Sequence, residues 1–231
     1  MTAGWLDAEA LSAIDRDGYA ISPRPVLGRG DCARLRDQFD DDRSFRSTID
    51  MARYRFGEGR YRYYAQPLPE VVDGLRHALY LPLAGLANQW SAQLGDPVRY
   101  PPGLDGFVEV CQRAGQTKPT PLILRYEAGG YNTLHQDLYG DIAFPLQVTV
   151  ALSEPGRDFT GGENLLVEQR PRAQSRGTAI TVPLGHALIF PTRYRPVSGT
   201  RGSYRAAMRH GVSTVTSGSR YALGVIFHDA A

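Results

Sequence analysis

The chain is almost without lysine: of its 26 basic side chains, Lys118 is the only one that is not arginine. Cysteine is nearly as scarce. Cys32 and Cys111 cannot build a disulfide framework, so a reducing, cytoplasmic setting is the simplest expectation. No apolar run approaches the ~20 residues that a membrane-spanning helix needs, so no membrane partner is expected. The opening stretch MTAGWLDAEALSAIDRDG has no basic segment leading into an apolar core, and no signal peptide is expected. Internal repeats and low-complexity tracts are also missing.

What is present is 231 residues, 42% of them hydrophobic, which suits one domain or one domain with an appended lobe. The net charge of +2 says little, but its distribution says more. From Arg157 to Arg220 there are ten arginines against three acidic residues, Asp158, Glu163 and Glu168. That local excess points to an anionic ligand, cofactor or partner near this region.

Apolar periodicity predicts a helix over residues 6–16 and a short strand in YAIS. A second helix is expected over GDCARLRDQFDDD, with Asp31 as its N-cap. PEVVDGLRHALYLPLAGLANQWSAQLG reads as one long helix or as a pair broken at Pro82, and GLDGFVEVCQRAG adds a turn or two. After Pro119 the pattern changes to β-rich runs separated by Gly and Pro: TPLILRYEAG, AFPLQVTVALSE, GGENLLVEQ, GTAITVPLGHALIFP and RYALGVIFHD. The expected plan is α+β. A helical region over 1–118 packs on a core over 119–231 that reads as a sheet sandwich or barrel, the two forming one continuous domain.

Within the first half, ARYRFGEGRYRYYAQ (52–66) alternates arginine with aromatics around GEG and reads as a hairpin. A two-residue loop would set Arg55 opposite Arg62, an anion-binding stripe. A three-residue loop would set Arg55 opposite Tyr61, a cation–π pairing. A half-buried hairpin with its arginines in water is the plainer alternative.

In GGYNTLHQDLYGD, His135 and Asp137 are spaced so that a strand would carry both on one face. His210 lies far downstream in AAMRHGVSTVTSGSRYALGVIF. Two histidines and one carboxylate can bind Fe(II) from one side and leave the other positions open. Ten residues after His210 comes Arg220. This set resembles the Fe(II)/2-oxoglutarate-dependent oxygenases, in particular their prolyl-hydroxylase-like branch. LRYEAGGYNTLHQD, DFTGGENLLVE and GHALIFP are similar to segments of that branch, and the specific resemblance covers about residues 120–229. It implies a double-stranded β-helix (jelly-roll) core with His135, Asp137 and His210 on iron. It further implies Arg220 on the distal carboxylate of 2-oxoglutarate, and O2 as the oxidant. Succinate and CO2 would be released as a substrate C–H bond is hydroxylated. Tyr126 and Thr149 are weaker candidates for contacts to the cosubstrate, with a core position the alternative for Tyr126. His186 and His228 lack the motif spacing and read as structural, and Glu163 is passed over as a ligand in favour of Asp137.

The whole pattern also resembles a bacterial oxygenase family described as acting on damaged DNA. Three substrate readings follow. The first is hydroxylation of a small molecule or amino-acid side chain, with Arg172, Arg193 or Arg195, and Arg55 or Arg62 of the hairpin, as contacts. The second is oxidative demethylation of alkylated nucleic acid, for which arginine interleaved with aromatics is a suitable composition. The third is a non-oxidative cupin-like metal protein, against which Arg220 argues. Residues 138–147 are expected to form a lid or a contact surface. Substrate identity and oligomeric state are not legible in the sequence.

Overall fold

The computed structural model describes residues 5–200 and 202–231. In chain order the elements are α1 (Ala8–Asp17), β1 (Ala20–Ile21), α2 (Arg29–Asp37), β2 (Phe45–Asp50), β3 (Gly57–Glu58), β4 (Arg60–Tyr64), α3 (Glu70–Gln93) and α4 (Leu104–Arg113). There follow β5 (Leu122–Glu127), β6 (Tyr131–His135), β7 (Leu146–Ala151), β8 (Phe159–Gly161), β9 (Asn164–Gln169), β10 (Arg176–Ile180), β11 (Ala187–Pro191), β12 (Tyr194–Gly199), β13 (Gly202–Val212) and β14 (Val215–Val225). The strands form two antiparallel sheets. The larger runs β1-β11-β7-β14-β5-β4-β2 with β8 beside β14, and the smaller runs β10-β9-β13-β6-β3 with β12 beside β13.

Strand alternation explains how the sheets stack. Ile189, Val148, Val150, Leu223 and Val225 belong to one core cluster with helix residues Leu75, Leu79 and Leu83. Their neighbours Leu188 and Phe190 belong to a separate cluster with Leu166 and Met208 of the smaller sheet. Successive side chains thus face helices on one side and the sandwich interior on the other. That is why β11 reads as a continuous apolar run. The same alternation carries Arg220, Ala222 and Gly224 of β14 to the inner face, where all three line a cavity between the sheets.

α3 is one helix of 24 residues and runs through Pro82 without breaking. An internal proline costs about 3 kcal/mol. Val72, Leu75, Leu79, Leu83, Leu86 and Trp90, at helical spacing on the buried side, offset it. Arg76 clamps the helix to the strand end: it is buried, 2.8 Å from Asp229, and donates to the carbonyls of Ile226 and Phe227.

Three expectations are corrected. α2 is capped by Gly28, and Asp31 lies inside its first turn, paired with Arg34. The 52–66 hairpin does not form. Met51–Tyr54 is a 3-10 turn, Arg55 has a left-handed backbone, β3 pairs with β6, and β4 pairs with β2 and β5. The register is set by FRSTID (45–50), a strand whose weak alternation hid it. Residues 138–147 are not a free lid: Gln116 holds both the N–H and the carbonyl of Ile142, and Phe144 is fully buried.

Candidate metal centre

His135 ends β6 and is paired directly with His210 on β13. Their ring centroids are 4.2 Å apart. The register slips just beyond this pair, because Val212 pairs with Asn132. This bulge needs Gly211, where a Cβ would stand 2.6 Å from the Asn132 carbonyl oxygen. Asp137 follows the strand end and folds back toward the Nε2 atoms of both rings. Its Oδ2 is 3.1 Å from His210 Nε2 and its Oδ1 is 3.6 Å from His135 Nε2. One ligand atom from each residue lies within 4.8 Å of the others.

The protonation states suit a cation. Burial alone would raise the Asp137 carboxyl. The charge and hydrogen bond of His210, then His135 and the Tyr139 hydroxyl, outweigh it and hold the group below the usual carboxylate range. Burial first, and the neighbouring His210 second, push the His135 imidazole down. His135 Nδ1 lies 2.7 Å from the Thr133 carbonyl oxygen, so Nδ1–H donates there and Nε2 keeps its lone pair. A neutral imidazole and an ionised carboxylate are the forms that bind metal. Two nitrogens and one oxygen converging beside an open cavity fit Fe(II) with free positions. Among the described residues, this is the cluster of three such groups that could hold a metal ion.

The cavity has a volume of about 300 Å³. Tyr126, Tyr139, Gln147, Thr149, Asn164 and Arg220 are among its polar walls beyond the three candidate ligands, and Leu122, Leu188, Phe190 and Ile226 are among its apolar ones. Arg220 is buried, with 5% of its surface exposed. Its guanidinium donates to Asn164 Oδ1 at 2.9 Å and lies 5.4 Å from the Tyr126 ring centre. Burial pushes its pKa down, against the pull of Tyr126 and Glu163. No carboxylate pairs with it among the described residues. A buried guanidinium with donors to spare suits an anionic ligand end. Tyr126 is buried, accepts from Asn132 Nδ2 at 3.3 Å, and is pushed up to about 12 by burial.

The remaining candidates lie apart from this cavity. Arg62 is buried in the first half, donating to the Phe39 carbonyl and to Asp42. Arg195 is buried in an ion pair with Glu168 at 2.6 Å and also donates to the Asp15 carbonyl. Both are structural, which corrects their assignment as substrate contacts: each had an acidic or carbonyl partner distant in sequence. Arg172 is exposed in the turn between β9 and β10. Arg55 is exposed and adjoins Phe56, which does line the cavity. Arg193 is exposed over Tyr194 and lines a neighbouring cavity that shares Leu138 with the first. Glu163 bonds to Ser213, and His186 contacts the Ser22 carbonyl. Tyr139, Gln147, Asn164 and Phe56 went unnoticed in the sequence. Only Tyr139, two residues past Asp137, carried a positional signal.

A family model described as "Oxygenase, catalysing oxidative methylation of damaged DNA" matches residues 59–230. Proteins of two Mycobacterium tuberculosis strains, both uncharacterized, are 54% identical over 165 residues, covering 71% of this chain and 71% of each relative. Among solved structures, a Pseudomonas putida prolyl-4-hydroxylase superposes with a TM-score of 0.53 at 14% identity, covering 97% of this chain and 99% of that one. A 2OG-Fe(II) oxygenase family oxidoreductase from Burkholderia pseudomallei gives 0.54 at 16%, covering 97% and 92%. A Trichoplax adhaerens prolyl hydroxylase in complex with a peptide gives 0.55 at 15%, covering 95% and 87%. These structural likenesses identify the fold as the double-stranded β-helix expected from the sequence. With a family model over most of its length, the chain belongs to the Oxygenase-NA family of oxygenases.

Proposed function

We propose that the protein is an Fe(II)- and 2-oxoglutarate-dependent dioxygenase that hydroxylates a C–H bond of a small molecule or amino-acid side chain. The observation that carries this reading is one cavity lined both by His135, Asp137 and His210 and by the buried, carboxylate-free guanidinium of Arg220. When bound, iron, 2-oxoglutarate and O2 together supply the oxidising power for the C–H bond, with succinate and CO2 released. The chain's own residues do the rest. His135, Asp137 and His210 hold the metal. Arg220 would hold the distal carboxylate through charge-assisted hydrogen bonds, and Asn164 Oδ1 accepts from the guanidinium and fixes its direction. Tyr126 and Thr149 lie on the same walls, within the cosubstrate's reach. The leucines and Phe190 exclude water around it. The ion pairs of Arg62, Arg195 and Arg170 take those arginines out of any continuous basic groove, which favours a small substrate.

A second reading, oxidation of a methyl group on nucleic acid, draws on the family's description and on one surface feature. Tyr54 and Phe56 are exposed and stacked, with ring centroids 5.7 Å apart, and Phe56 lines the cavity. Exposed Arg53 and Arg55 flank them. Flat rings beside cations suit unpaired bases. Salt separates the readings: oligonucleotide binding should weaken steeply as salt rises, whereas a single carboxylate contact responds mildly. Oligonucleotides that bind no better than free nucleotides at low salt would rule the second reading out.

The principal test is an anaerobic titration of the metal-free chain with Fe(II) and then 2-oxoglutarate, followed by the weak visible charge-transfer absorption of the chelated complex. Absorption that requires Asp137 and Arg220 supports the reading. Metal binding indifferent to 2-oxoglutarate would instead indicate a non-oxidative, cupin-like protein.

A further inference from the structure

The ligand side chains of the candidate centre are held in different ways. His135 is oriented by a backbone carbonyl, that of Thr133. Asp137 is oriented by another side chain: the Tyr139 hydroxyl donates to Oδ1 at 2.6 Å. Tyr139 is itself fixed on two sides. Its ring meets Tyr63 edge-on at 6.2 Å, and it lies 5.9 Å from the ring of His228. Tyr63 is buried and covered by Arg46, whose guanidinium carbon stands 4.6 Å from the ring centre.

This arrangement bears on which oxygen a metal would meet. A carboxylate free to rotate about its last bond presents either oxygen, or both. Here the Tyr139 hydroxyl occupies Oδ1, while Oδ2 is the oxygen nearer His210. We propose that Tyr139 is a positioning residue of the metal centre, its hydroxyl engaging Oδ1 and committing Oδ2 of Asp137 to the metal. The inference rests on the metal reading given above. Its consequence is that Asp137 binds through one oxygen and leaves more of the coordination sphere free for other ligands.

The test uses the full chain, free of metal, under anaerobic conditions. Fe(II) affinity is measured by calorimetry and ligand geometry by the visible absorption of the Co(II)-loaded protein. Tyr139→Phe keeps the ring against Tyr63 and His228 and removes only the donor. The expected result is Fe(II) binding weaker by roughly 10- to 100-fold. The Co(II) bands should shift as the second carboxylate oxygen engages. Tyr139→His, which retains a ring and an N–H donor, should recover part of the affinity. Fe(II) affinity within twofold of wild type for Tyr139→Phe, with an unchanged Co(II) spectrum, overturns the role of Tyr139 while leaving the metal reading standing. A wild-type chain that binds no Fe(II) overturns both.

Discussion

Replacing Arg220 by alanine separates the cosubstrate site from the metal site. The guanidinium is buried, its one described hydrogen bond is to the Asn164 side chain, and no carboxylate among the described residues forms an ion pair with it. Hydrogen bonds to charged groups contribute about 1.5–3 kcal/mol each. Two such bonds to a carboxylate, at the low end of that range, amount to about 3 kcal/mol, or roughly a 100-fold weaker Kd. Arg220→Lys keeps the charge but loses the planar fork, and is expected to lose roughly tenfold. The metal-free protein should behave differently. Removing an unpaired buried charge relieves a desolvation cost that offsets the lost packing, so stability should change by no more than about 1 kcal/mol. The assay is the anaerobic 2-oxoglutarate titration on Fe(II)-loaded protein, with a parallel Fe(II) titration and a urea melt. A 2-oxoglutarate Kd within threefold of wild type would refute the assignment. So would an Fe(II) affinity that falls in step with it, because Arg220 would then be supporting the metal ligands.

Three further outcomes follow from the geometry. Arg195→Ala strips Glu168 of its buried partner and should destabilise the fold by about 3 kcal/mol in urea, while 2-oxoglutarate binding by the folded fraction stays unchanged. Gly211→Ala forces a Cβ against the Asn132 carbonyl oxygen and should pull β13 from β6, so Fe(II) affinity should fall at least tenfold although no ligand is altered; unchanged affinity would show that the bulge is not what sets His210. His228 is fully buried, and burial lowers its pKa to about 4. A histidine depressed in the folded state contributes stability that is complete above its unfolded pKa of about 6.5 and is lost as the pH falls toward 4, here about 3 kcal/mol. Urea midpoints of the metal-free protein should therefore drop over that window, and His228→Asn should flatten the drop.

The chemistry of this protein was legible where it depends on local spacing. His135 and Asp137 announce themselves by their close spacing, although the strand ends at His135 and Asp137 folds back from beyond it, and the β-rich runs after Pro119 all became strands. The helices of the first half were visible because their apolar stripes repeat at helical spacing. Alternation also determines that Arg220 shares a face with Ala222 and Gly224, once β14 exists. What spacing could not reveal was which partners come from far along the chain. Whether an arginine serves a ligand or the fold depends on a carboxylate elsewhere: Arg62 meets Asp42 and Arg195 meets Glu168, whereas Arg220 meets none. The hairpin at 52–66 was a local guess defeated by a competing strand, because β4 gains two partners by entering the large sheet and a hairpin would offer one. The hold of Tyr139 on Asp137 likewise depends on Tyr63 and His228, which only the packed sheets and the chain's end bring to that side chain. Residue types and short-range periodicity therefore specified the ligands and the kind of fold. Long-range packing selected which charges were left free to act.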